Sequence, residues 1–153
     1  HLTCDVPRSV FLNPLPAYDE TLVDEAVLAR YDALFNYRDD VMKALEVARA
    51  DKRIGKSLEA KLKISGDAGN EAMRAFSHFT VKELCAIFIV SGVELGSDAP
   101  AADAFCETQS GIAVSVLPAD GEKCCRCWTY TTDTESGESG ERLCARCRKV
   151  LED

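Results

Sequence analysis

Cys124, Cys127, Cys144 and Cys147 fall into the pattern C-x2-C-x16-C-x2-C, and no other feature restricts the fold of this chain so tightly. Two residues between thiolates let a tight turn bring both sulfurs to ~2.3 Å from one ion, and two such turns complete a tetrahedron. The segment between the pairs, WTYTTDTESGESGERL, is polar and rich in Gly and Ser. It has too little apolar material to fold by itself, and metal binding can supply the missing energy, roughly 10–16 kcal/mol in isolated zinc-finger peptides. Two other uses of paired cysteines fit less well. A redox C-x-x-C usually occurs once, at a helix start in a thioredoxin-like fold, whereas here the pair occurs twice, beside basic residues. Disulfides need an oxidising compartment, and no export signal is visible. The expectation is one structural Zn2+, without a catalytic role, because four thiolates leave no open coordination position. Cys125 lies outside the spacing and is expected to be a bystander. Cys85, in an apolar run, is expected to be a buried small hydrophobe; Cys4 and Cys106 have no legible role.

Upstream, the pattern is that of an α+β protein. Three prolines in VPRSVFLNPLP (6–16) read as an extended connector. From about Asp24 to about Arg53 the residues Val27, Tyr31, Leu34, Val41, Leu45 and Ala48 recur at helical spacing, with Leu28, Phe35 and Met42 beside them. Gly55 is the expected terminator. Such a stripe needs partners, expected upstream in a part of the protein that this chain lacks. SLEAKLKI (57–64) alternates like a half-buried strand, and 66–79 reads as a short helix. Thr80 and Glu83 form a capping-box pattern. The apolar segment 86–95 is expected to be the central strand, 96–110 a loop, and 111–119 a further strand with Ile112, Val114 and Val116 facing inward. His78 reads as a surface residue. The organisation expected is 1–55, 56–118 with about three strands, and 119–153.

The formal charge of −8 argues against a generic polyanion binder, but the charge is uneven: residues 38–63 carry eight basic and five acidic groups. Arg38, Lys43, Arg49, Lys52, Arg53 and Lys56 are therefore candidates to meet phosphates. In the cysteine-rich tail Trp128 and Tyr130 are candidate stacking platforms, flanked by Lys123, Arg126, Arg146 and Arg148. Each has a plainer reading. Any of the basic residues can be part of a solvated helix face, Arg38 can sit at the edge of the apolar stripe, and Trp128 is expected to lid the zinc knuckle. No Gly-rich phosphate loop or Ser/His/Asp arrangement is present, and there are only two histidines; no catalytic constellation is visible. No apolar run approaches the ~20 residues that span a bilayer. The chain opens on His1, without initiator Met or leader pattern, so a piece of a longer protein is expected.

ALEVARADKRIGKSLEAKLKI (44–64), SVFLNPLP (9–16), GEKCCRCWTY (121–130) and LCARC (143–147) together resemble the C-terminal region of bacterial-type isoleucyl-tRNA synthetases. The resemblance implies a helix from an anticodon-binding helical bundle, a small three-stranded α+β unit and a four-Cys zinc knuckle module. It also implies a class I synthetase that activates isoleucine with ATP, but the HIGH and KMSKS signatures of that chemistry are absent here. The expected role is therefore binding of tRNA(Ile) without catalysis, in a cytoplasmic monomer, with the remainder of the synthetase in cis and no membrane. Cys125, Thr129 and the Ser/Gly/Glu-rich linker depart from the family pattern and bear on loop contacts more than on the metal. A finger of similar spacing ends the formamidopyrimidine-DNA glycosylases, although a helical domain, not a KSLEAKLKI strand, precedes it there. A purely structural C-terminal module is a third reading.

Overall fold

Asp24 sets the start of the first helix, α1 (Glu25–Ala50). Its carboxylate accepts from the amides of Ala26 and Val27 at 3.0 and 3.1 Å, two donors with no partner inside the helix. The helix ends before Gly55. Lys52 takes the left-handed conformation, φ 59°, and the amides of Arg53 and Lys52 return to the carbonyls of Ala48 (2.9 Å) and Arg49 (3.0 Å). This is a Schellman closure with lysine where glycine is usual. The computed structural model describes residues 10–12, 17–67, 69–97, 104–106, 108–137 and 140–152; Cys4 and most of the 9–16 motif lie outside them.

The buried face of α1 is Leu34, Val41, Ala44, Leu45 and Ala48, with Asp40 among them. It shares one core with Leu62, Ile64, Phe76, Leu84, Phe88 and Val114. The C-terminal half of the stripe thus finds its partners downstream in this chain, not upstream as expected. Toward the N-terminus Val27, Leu28 and Phe35 remain 40, 49 and 50% exposed.

After a 3-10 turn at Ser57–Glu59 comes β1 (Ala60–Ser65), whose Ala60, Leu62 and Ile64 are buried as the alternation predicts. Helices α2 (Glu71–Ser77) and α3 (Val81–Phe88) then carry the chain over to β2 (Gly92–Gly96), and β3 (Ala113–Pro118) follows. The sheet order is β2-β1-β3. Leu62 pairs with Val93 in the parallel ladder and with Val116 in the antiparallel one. A parallel pair needs such a long crossover, and the two helices provide it. The expected central strand at 86–95 is therefore corrected: β1 is central, and the segment is the end of α3 followed by edge strand β2. The capping box decides this. Thr80 Oγ1 accepts from the Glu83 amide at 3.3 Å, and Glu83 Oε2 accepts from the Thr80 amide at 2.7 Å, which commits the next residues to helix. Ile89, left-handed at φ 58°, stops the helix. Phe76 and Phe88 meet edge-on in the core at 5.7 Å, so truncating either removes about 3–5 kcal/mol of burial and packing.

Beyond β3 the chain turns through Gly121 (φ 81°), where a Cβ would overlap the carbonyl of Thr131. Two short hairpins follow. β4 (Glu122–Lys123) pairs with β5 (Tyr130–Thr131), and β6 (Glu135–Ser136) pairs with β7 (Arg142–Leu143); α4 (Ala145–Glu152) closes the described chain. This small unit is tied to the sheet by the Ala119 amide on the Glu59 carbonyl (2.8 Å). A second tie is Lys61, whose Nζ meets Glu94 and Asp120 at 2.7 Å each.

Candidate metal centre and the face beside it

The first cysteine pair sits in the turn between β4 and β5, the second between β7 and the first turn of α4. In the first turn the Trp128 amide donates to the Cys124 carbonyl (2.8 Å) and the Cys124 amide to the Thr129 carbonyl (3.0 Å). The Cys125 amide donates to the Arg142 carbonyl at 2.9 Å, which brings β7, and so the second pair, against the first.

The four predicted sulfurs come together. Those of Cys124, Cys127, Cys144 and Cys147 all lie within 4.8 Å of one another, and Cys127 and Cys144 are 3.7 Å apart. A tetrahedron with Zn–S bonds of ~2.3 Å has edges of about 3.8 Å, so the donor set fits one zinc ion. Cys124, Cys144 and Cys147 are buried with Leu143, and Cys127 is half-buried beside them. Cys125 is exposed and stands outside the cluster, as expected of a bystander.

Without a cation these thiols oppose one another. Burial disfavours ionisation of Cys124, but amides of Cys127, Cys144 and Arg126 point at its sulfur and outweigh burial, lowering it to about 6. Burial prevails at Cys144 and pushes it up to about 12. A divalent ion removes the conflict by letting all four ionise. Because all four positions of the tetrahedron are protein sulfur, the zinc is structural.

Trp128 is not the lid of this centre. It is 57% exposed, and Leu143 is the apolar residue packed among the sulfurs. Trp128 is left-handed, φ 66°, a conformation that costs a bulky residue roughly 1–2 kcal/mol. Two cations approach its indole: the ammonium groups of Lys56 and Lys123 stand 5.7 and 5.8 Å from the ring centroid.

The other basic candidates divide by what they touch. Arg38 is half-buried, with Nε 3.5 Å from the Ile87 carbonyl, so it joins α1 to α3. Arg49 donates to Ser57 Oγ at 2.8 Å. Arg148 donates to the carbonyls of Asp133 and Leu143 at 3.0 and 2.8 Å and pairs with Glu135 at 3.2 Å. These three have employment within the fold. Lys43, Lys52 and Arg53 are exposed, and Arg53 pairs with Asp51 at 3.7 Å. Arg126 and Arg146 face the sulfurs. Tyr130 is half-buried, and its amide donates to Ser91 Oγ at 2.9 Å. Ser91 and Lys61, which join the sheet to the cysteine module, carry no sequence signal; a lone serine between a helix and a strand looks like any loop residue.

Residues 121–150 match the family described as the zinc finger found in FPG and IleRS. Over 94% of its length the chain is also similar to isoleucine–tRNA ligases. Identity is 38% with that of Exiguobacterium sibiricum, 41% with that of Staphylococcus haemolyticus and 40% with that of Kosmotoga olearia. The chain spans about 15% of the length of these curated relatives. The chain is thus similar, over 94% of its length, to part of bacterial isoleucine–tRNA ligases, and residues 121–150 match the zinc finger found in FPG and IleRS.

Proposed function

We propose that this chain is the tRNA-binding C-terminal part of an isoleucine–tRNA ligase. It contacts the anticodon arm of tRNA(Ile), while ATP-dependent activation of isoleucine and its transfer to the tRNA occur elsewhere in the intact enzyme. One observation carries the reading: Lys56, from the segment after α1, and Lys123, from β4, converge on the exposed ring of Trp128. An indole offers a face to an unstacked base, and flanking ammonium groups suit the phosphates on either side. Exposed Lys52 and Arg53 extend the same basic segment. Zinc contributes indirectly, by fixing the turn that presents Trp128. The reading keeps 1–55, 56–118 and 119–153 as three parts, the first two sharing one core. It carries with it a cytoplasmic monomer, with the rest of the synthetase in cis. Among the described residues no helix is long and apolar enough to cross a membrane.

The DNA-repair reading draws on the shared finger alone, whereas the similarity to ligases extends over 94% of the chain. Filter binding of the zinc-loaded chain to tRNA(Ile) and to abasic duplex DNA tests the choice. Preferential retention of the tRNA is expected. Preferential retention of the duplex would reverse the assignment, and retention of neither would favour a purely structural module.

A further inference from the structure

The two ligand turns have the same sequence form, Cys124-Cys125-Arg126-Cys127 and Cys144-Ala145-Arg146-Cys147. In each, the third residue is an arginine whose guanidinium turns toward the other pair. Arg126 Nη1 lies 3.9 Å from Cys147 Sγ. Arg146 lines a cavity of about 190 Å³ together with Cys127 and Cys144. The arrangement is reciprocal: each turn's arginine lies beside the last cysteine of the opposite turn.

We propose that Arg126 and Arg146 are positioning residues for the metal centre rather than contacts for nucleic acid. Four thiolates and one Zn2+ leave two negative charges in a site where three of the four sulfurs are buried. Two guanidinium groups balance that excess. Their N–H groups also fix the sulfurs whose lone pairs would otherwise face solvent, which matters most at half-buried Cys127. The crossing has a mechanical consequence as well: each arginine holds the opposite turn, so the two halves of the clamp stay closed together. The inference rests on the metal site and is independent of the tRNA reading.

The test is zinc transfer from the full chain to a chromophoric chelator, with the absorption spectrum of the Co2+-substituted protein as a second readout. Arg126→Ala and Arg146→Ala are each expected to weaken zinc retention about tenfold or more, the scale seen when partners of metal ligands are removed. They should also shift the sulfur-to-cobalt charge-transfer band, which a merely structural surface role would not move. Arg126→Lys and Arg146→Lys keep the charge and should recover part of the retention. Lys149→Ala, which removes an exposed charge from the same helix, should change neither readout. Unaltered zinc transfer and an unaltered cobalt band in both alanine variants would overturn the proposal. So would an effect of Lys149→Ala as large as theirs, since the contribution would then be bulk charge rather than contact.

Discussion

The hydroxyl of Ser91 accepts the amide of Tyr130 at 2.9 Å and donates to the carbonyl of Leu58 at 2.5 Å. One side chain thus links the approach to β1 with the strand that follows the first cysteine turn. Ser91→Ala leaves both the Tyr130 amide and the Leu58 carbonyl without this partner in a half-buried place, at a cost of about 1–3 kcal/mol. Chemical denaturation of the zinc-loaded protein is expected to show that loss. Amide exchange should accelerate at Tyr130 while the core amides of Leu62 and Ile64 keep their protection.

Asp40 is a buried carboxylate on α1 that anchors the approach to β3. Burial alone would raise its pKa. The Ser110 hydroxyl (2.6 Å) and the amides of Ser110 (2.9 Å) and Gln109 (3.2 Å) outweigh that, with help from Lys43, and hold it below the usual carboxylate range. A folded-state pKa below the unfolded one means that the unfolded chain binds the proton more readily. The stabilisation is therefore present above the unfolded value of about 3.9 and is lost as the pH falls through the lower folded value. Asp40→Asn should reduce stability near neutrality by about 1–3 kcal/mol. It should also flatten the acid limb of a stability–pH curve measured by urea melts.

The ligand assignment separates two adjacent cysteines. Cys124→Ser removes a buried sulfur of the cluster and is expected to abolish stoichiometric zinc. Cys125→Ser, at an exposed position outside it, should retain one zinc per chain. Elemental analysis of the two purified variants checks this, and loss of metal from Cys125→Ser would reassign the site.

Removing zinc with a strong chelator should unfold residues 121–150 and leave the β2-β1-β3 sheet in place. The reason is composition. The sheet and its helices have a core that includes Phe76, Phe88, Leu62 and Ile64, whereas the module buries Leu143 and its own cysteines. Hydrogen exchange is expected to show protection lost after Gly121 and kept through β1 and β3.

The metal centre was legible because ligand spacing is a local property: the four cysteines that share the x2 spacing are the four whose sulfurs meet. β1 was legible for a similar reason, since its alternation of Leu62 and Ile64 with Lys61 and Lys63 is strict. The segment 84–95 was not. A short apolar run fits a buried strand and a buried helix equally well, and the deciding signal lay just before it, in Thr80 and Glu83. The end of α1 was misplaced because Lys52 occupies a left-handed position that sequence rules reserve for glycine, and Ile89 hides the end of α3 in the same way. Trp128 was expected as a lid for want of apolar residues near the cysteines; Leu143, next to Cys144, fills that place and leaves the indole outside. The roles of Ser91, Lys61 and the crossing arginines depend on which elements fold against one another, and no local pattern encodes that.

In the proposed function, zinc holds Trp128 beside Lys56 and Lys123, where it can take a base, without touching the chemistry of activation. Affinity for tRNA(Ile), measured in the intact ligase carrying Trp128→Ala or the pair Lys56→Glu and Lys123→Glu, tests it most directly. Zinc content and isoleucine-dependent ATP–pyrophosphate exchange are followed in the same preparations. Loss of one stacked base is worth about 1–3 kcal/mol, so roughly tenfold weaker tRNA binding is expected, with zinc retained and exchange unchanged. Full tRNA affinity in both zinc-loaded variants would contradict it.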